Sequence, residues 1–205
     1  LRNTLFVSCT NVLTVLCSSS LVAYSFSRLR WKGRDICFYL MLATMMLPYQ
    51  VTMVPLFIVF SKLKLVGTPY PLIIPSFFGS AFFIFLLRQF FRTIPQDLID
   101  AARIDGANHP RIFAQIILPL AKPALFTIAL FQFLNSWRNF IGPLIYLSDM
   151  NKYTLALGLQ MLQGGRYIFI HQVMALSVVI VLPILVVFFS AQRYFIQGVT
   201  LTGIK

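Results

Sequence analysis

The chain of 205 residues is 59% hydrophobic and only 11% charged, with a mean hydropathy of +0.82, whereas a soluble domain carries about 25% charged residues. It has too little polar surface to face water on all sides, which excludes a soluble globular domain. Seventeen Lys and Arg stand against five acids, all of them Asp, for a formal net charge of +12. These bases lie between long apolar runs rather than in one patch interleaved with aromatics, so they read as membrane topology and contact with anionic lipid, not as a nucleic-acid surface.

The chain opens on Leu1, with no basic leader or cleavage site, and so reads as a fragment of a longer polypeptide. A helix needs about 20 mainly apolar residues to cross a bilayer and leaves no backbone group unpaired there. Charge-free stretches at 3–27, 36–61, 65–87 and 167–192 qualify, which places spans near 4–27, 36–60, 68–90 and 170–192. Cys9, Cys17 and Cys37 form no metal-ligand pair and read as small core hydrophobes. A fifth span, near 118–142, is interrupted by Lys122 and Arg138, whose long stems can carry their charges to opposite interfaces. Pro48, Pro55, Pro75 and Pro183 punctuate the spans as kinks, packing features or hinges.

Counting base across five spans sets the orientation. Eleven basic residues fall on one side: Arg28, Arg30, Lys32, Arg34, Arg88, Arg92, Arg103, Arg111, Lys122, Arg193 and Lys205. Six fall on the other: Arg2, Lys62, Lys64, Arg138, Lys152 and Arg166. The positive-inside rule then puts the C-terminus and the long 88–122 stretch in the cytoplasm. An external N-terminus without a signal points to at least one further helix upstream. No repeat or linker divides the chain, which reads as one all-α, polytopic helical bundle.

Between Arg88 and Lys122 the apolar pattern gives way to an amphipathic helix pair. Thr93 reads as an N-cap, with Pro95 in the first turn and Gln96 closing a capping box. The helix stops at Gly106, after Asp105, where a left-handed turn suits glycine. A second helix starts at Asn108 with Pro110 in its opening turn. Ala101 and Ala102 keep the first helix slim enough for another surface to approach closely.

Asp100-Ala101-Ala102, Asp105-Gly106-Ala107, then Ile116, Leu118 and Pro119 match in spacing the cytoplasmic "EAA" loop of binding-protein-dependent ABC importer permeases. The chain resembles that family, in its carbohydrate, maltose-type branch. Asp100 stands where the family usually has Glu, keeping the charge but shortening its reach by one methylene. Trp137, Phe140, Pro143 and Leu144 resemble the W-x-x-F-x-x-P-L segment of the same branch, and the end from Pro183 to Lys205 resembles its last helix and tail.

The resemblance implies a six-helix permease subunit, its first helix absent here, that does no chemistry. It pairs with a second permease subunit, receives a sugar-class solute from an external solute-binding protein, and couples through 93–118 to separate ATPase subunits that bind the ATP. The chain itself carries no G-x-x-x-x-G-K loop, so no cofactor is expected on it. Sugar or oligosaccharide is the leading solute class, with glycerol-phosphate-type compounds next. Asn135, Trp137 and Asn139 are the candidates for solute contact, since sugars favour amides and aromatic faces; Asn as glue between helices is the alternative. The loop at 148–166, with Asp149, Asn151, Lys152, Tyr153, Gln160, Gln163 and the Gly164–Gly165 pair, either reaches towards the binding protein or is a plain connection.

The sequence leaves two other function classes open. An intramembrane enzyme would rest on Asp105 and His109 as an acid-base pair, without a nucleophile or metal cluster beside them. A channel or secondary carrier would be expected to place ionisable groups in its spans, and the four clear ones hold none besides His171.

Overall fold

The structure, a computed structural model, describes residues 1–164 and 169–200, with side chains to Ser190 in the last helix. Expectations on Gly165, Arg166 and Tyr167, on the tail at 201–205, and on the side chains of Arg193, Tyr194 and Phe195 lie outside the described residues.

Helix α1 (Arg2–Arg28) contains neither Gly nor Pro, and nothing interrupts it. Its hydroxyls turn back on its own carbonyls, Thr14 Oγ1 to Thr10 O at 2.8 Å and Ser18 Oγ to Thr14 O at 2.7 Å, which hides polar groups in an apolar setting. One face is buried: Thr4, Ser8, Asn11, Val15, Ser19, Ala23 and Phe26 recur at steps of three and four. Small residues along this seam let neighbouring backbones come close, which matters where lipid removes the hydrophobic drive between helices.

The stretch expected as the second span is two helices, not one. α2 (Arg34–Ala43) runs into a 3-10 turn (Thr44–Met46), and α3 (Tyr49–Lys62) leaves at 98° to it. Pro48 is the cause: it has no N–H to donate and disfavours helical geometry in the residue before it, and Leu47 is accordingly extended. Pro55, by contrast, sits inside α3 without breaking it. Two further 3-10 turns (Tyr70–Leu72 and Ile74–Phe78, the latter holding Pro75) lead to α4 (Ala81–Thr93), and together 70–93 is long and apolar enough to cross a membrane.

The chain then forms α5 (Gln96–Ile104) and α6 (His109–Ile112), a π-turn (Phe113–Ile117) and α7 (Leu118–Leu120). At Ala121 it bends by 77° into α8 (Lys122–Trp137). Residues 118–120, expected to open the fifth span, lie before this bend and 122–137 after it. α9 (Ile141–Tyr146), a 3-10 turn (Met150–Lys152) and α10 (Leu155–Gln163) precede α11 (Ile170–Thr200), which runs through Pro183 without a break. Helices α1, 70–93 and 170–190 are each long and apolar enough to span, and the two bent pairs bring the total to as many as five among the described residues. The described residues contain no strand, and the fold is an all-α polytopic bundle.

A buried cluster sits at the Arg28 end, where Ala23, Tyr24 and Phe26 of α1, Phe38 of α2 and Phe83, Ile84, Leu87 and Phe91 of α4 meet Ile99, Ile112, Ile117 and Ala121. This core holds the α5–α7 arm against the bundle. Cys9, Cys17 and Cys37, expected in the core, are exposed instead.

Candidate functional site

Helix α5 does not begin as expected. Thr93 is the last residue of α4, and its hydroxyl donates to Phe90 O at 2.8 Å. Pro95 is the N-cap, and no side chain closes a capping box. Gln96 is engaged elsewhere: its Nε2 donates to Asp100 Oδ1 at 3.0 Å, and its Oε1 accepts from Arg28 Nη1 at 2.9 Å. With Ile94 and Pro95 both extended between the helices, Thr93 is out of reach of the α5 amides.

The far end of α5 follows the sequence closely. Gly106 has φ of +79°, in the left-handed region, and its N–H bonds to Arg103 O at 3.0 Å while Ala107 N–H bonds to Ala102 O at 2.9 Å. This is a Schellman closure, which satisfies carbonyls the helix would leave open. Asn108 then caps α6, its Oδ1 accepting from Arg111 N at 3.0 Å.

The motif residues divide between two faces. Ala102, Ala107 and Ile116 pack against the core beside the fully buried Ile99, Ile112 and Ile117, and Leu118 is half-buried. Asp100, Ala101, Asp105, Gly106 and Pro119 are exposed. Ala102 therefore owes its small size to the bundle behind it, and Ala101 alone of the pair faces outward. Asp100 is not a free carboxylate: Arg103 Nη1 lies 3.4 Å from its Oδ1, one turn along the helix.

Two outward residues were missed from sequence. Leu98 is exposed, and Ile104 is 87% exposed at the tip of α5. The signal was available, since Ile104 lies five positions from buried Ile99 and so on the opposite side of a helix with about 3.6 residues per turn. Leu98 and Ile104 thus leave two large apolar side chains bare on a charge-rich helix.

The arm is tied to α1 by polar bonds as well as by the core. The Tyr24 hydroxyl lies 3.1 Å from His109 Nδ1, and the Tyr24 ring packs on Phe113 at 5.1 Å. Arg28 donates to the carbonyls of Phe91 and Ile94 besides the Gln96 side chain. In return Arg88 of α4 donates to Phe26 O at 3.2 Å and lies 4.0 Å over the Phe38 ring. His109 is thus occupied by Tyr24 and not by Asp105, which removes the acid-base pair.

The three candidate solute residues divide, with Trp137 buried and Asn135 and Asn139 exposed. Trp137 is 1% exposed; its indole N–H donates to Ile180 O at 3.0 Å and its ring stacks on Phe133. That side chain is helix packing between α8 and α11 and is closed to a solute in this conformation. Asn139 Oδ1 accepts from Gly142 N at 3.1 Å, and a Cβ on Gly142 would fall 2.9 Å from Asn139 Nδ2, so the two fit only because residue 142 has no side chain. Asn135 is exposed.

The buried polar centre is instead Asn11, whose amide donates to Leu72 O at 3.1 Å and Ser136 Oγ at 3.0 Å and whose oxygen accepts from Ser76 Oγ at 2.7 Å. A lone Asn in an apolar run signals such a junction, though not its partners. At the opposite end, Asn3 Nδ2 donates to Asn151 O at 2.6 Å and Lys152 Nζ to Gly67 O at 2.8 Å, which ties down the first half of the 148–164 connection.

The comparisons agree with this architecture. The chain is similar to the arabinooligosaccharides transport system permease protein AraQ of Halalkalibacterium halodurans, 39% identical over 206 residues covering 99% of this chain and 72% of that protein. It is also similar to the sn-glycerol-3-phosphate transport system permease protein UgpE of Pectobacterium atrosepticum, 35% identical over 182 residues, 88% of this chain and 64% of that one. A solved bacterial ABC transporter involved in import of the acidic polysaccharide alginate superposes with a TM-score of 0.84 at 28% identity, over 95% of this chain and 73% of that one. Residues 16–201 match the family described as binding-protein-dependent transport system inner membrane component. With the all-α bundle, the arm and its Gly106 turn in place, the chain belongs to that family: it is a permease subunit of an ABC importer, a part of a transporter and not an enzyme.

Proposed function

We propose that this subunit carries a sugar or oligosaccharide inward, as half of a pathway completed by a second permease subunit. An external solute-binding protein delivers the solute, and separate ATPase subunits bind the ATP. The outward face of α5, from Asp97 through Ile104 to Gly106, seats in the ATPase, so that closure of the ATPase pair moves the bundle between two packed arrangements. The five spans follow 4–27, 36–60, 68–90, 118–142 and 170–192, with 93–118 and the C-terminus on the cytoplasmic side.

The observation that carries this reading is the exposure of Ile104 on an arm rooted in the core by Ile99 and Ile112. Leu98 is exposed on the same helix, and burial of these two apolar side chains in a partner would remove from water what the bundle leaves bare. The sugar class rests on the names of relatives and on no residue of this chain. The test is a detergent pull-down with this subunit as bait, followed by ATP hydrolysis and by uptake of labelled arabino-oligosaccharide and glycerol 3-phosphate in reconstituted vesicles. Recovery of an ATPase and sugar-stimulated hydrolysis support the reading; recovery of the subunit without an ATPase overturns it.

A further inference from the structure

Tyr24 and Arg28 are four residues apart near the end of α1, one turn of helix, and so project from the same face. They hold the α5–α6 arm at two separate places. Arg28 grips its root, with Nη1 2.9 Å from Gln96 Oε1 and Nη2 2.5 Å from Ile94 O and also on Phe91 O. Tyr24 grips the start of α6, its hydroxyl 3.1 Å from His109 Nδ1 and 3.4 Å from the His109 carbonyl. Between these two points lie all of α5 and the Gly106 turn, the very surface assigned to the ATPase. The space between is filled by Ile99, Ile112 and Ala23, each at most 1% exposed.

We propose that Tyr24 and Arg28 form a two-point clamp that makes α1 and the α5–α6 arm one rigid body, so that any displacement of the arm is passed directly to α1. The proposal rests on the docking of α5 to the ATPase. A single contact would act as a pivot, about which the arm could rotate while α1 stayed still. Two contacts that bracket α5, made from one face of one helix, remove that rotation. Tyr24 and Arg28 are positioning residues: neither touches solute or nucleotide, and both act through the arm.

The test uses the complete transporter, permeases and ATPases together, in nanodiscs. Cys9, Cys17 and Cys37 are replaced by Ser, and spin labels are placed at Leu21→Cys on α1 and Arg111→Cys on α6, both exposed positions outside the clamp. The expected result is one narrow inter-label distance, unchanged between the nucleotide-free and the ATP-vanadate-trapped states. In the pair Tyr24→Phe with Arg28→Gln, with ATPase still bound and hydrolysing, that distance should broaden and shift on trapping. Tyr24→Phe alone, which keeps the buried ring, should show a smaller broadening and guards against a variant that fails to fold. A distance that shifts in the unsubstituted protein, or stays narrow and fixed in the variants, overturns the clamp while leaving docking intact. Failure of the ATPase to co-purify with the unsubstituted chain overturns docking, and the clamp with it.

Discussion

Ile104 and Gly106 sit two residues apart and act in different ways. Burying a side chain of Ile104's kind against a partner stabilises by about 1.5–3 kcal/mol, so Ile104→Asp should weaken binding of the ATPase by roughly tenfold or more without lowering the amount of subunit in the membrane; titration of labelled ATPase onto nanodiscs measures it. Gly106 has open space where a Cβ would stand, so only its positive φ counts against substitution. Gly106→Ala should therefore cost about 1 kcal/mol, and Gly106→Pro much more, since proline fixes φ near −65° and removes the donor to Arg103 O. In the reading proposed, Gly106→Pro abolishes uptake, and an unchanged transport rate for it would count against α5 as the docking element.

Helix ends and junctions explain what could be read in advance and what could not. The Gly106 stop and the Asn108 cap are local events, each decided within five residues, and the sequence carries both. Thr93 reads as a cap in the sequence because Pro95 and Gln96 satisfy the same local pattern whether or not α4 has already claimed Thr93, and that depends on where α4 ends. The 98° bend at Pro48 and the 77° bend at Ala121 were invisible to hydropathy, which scores a broken apolar stretch and a straight one alike. Trp137 was chosen for its chemistry, but its burial depends on Ile180, more than forty residues along. Asn11 belongs to the same class, since its partners Leu72, Ser76 and Ser136 come from three distant elements. Asn11→Leu should lower the melting temperature in detergent, at a cost of about 0.6–2 kcal/mol, the range for such interhelical bonds. Asn108→Ala, which removes a cap worth about 1 kcal/mol, should speed amide exchange at Arg111 while leaving α5 protected.

For the molecule as a whole, the uneven division of base is the strongest statement about orientation. If Arg30, Lys32 and Arg111 face the cytoplasm, Lys32→Cys should react with an impermeant maleimide only in inverted vesicles, and Lys62→Cys only in right-side-out cells. The reverse pattern would invert the bundle and move α5 away from any cytoplasmic ATPase. The reciprocal arginines bear on how the bundle is made. Arg28 serves the carbonyls at the end of α4, while Arg88 serves a carbonyl at the end of α1, and 59 positions separate the two side chains in the sequence. Neither helix end has its partners until both helices are in the membrane. When α1 emerges from the ribosome, its last turn must wait, solvated at the interface, through the whole synthesis of α2 and α3. The arm follows directly after α4, so in the reading proposed the surface meant for the ATPase gains its anchorage on α1 only once the two helices have exchanged their arginines, and a half-made permease would have no such anchored surface to offer.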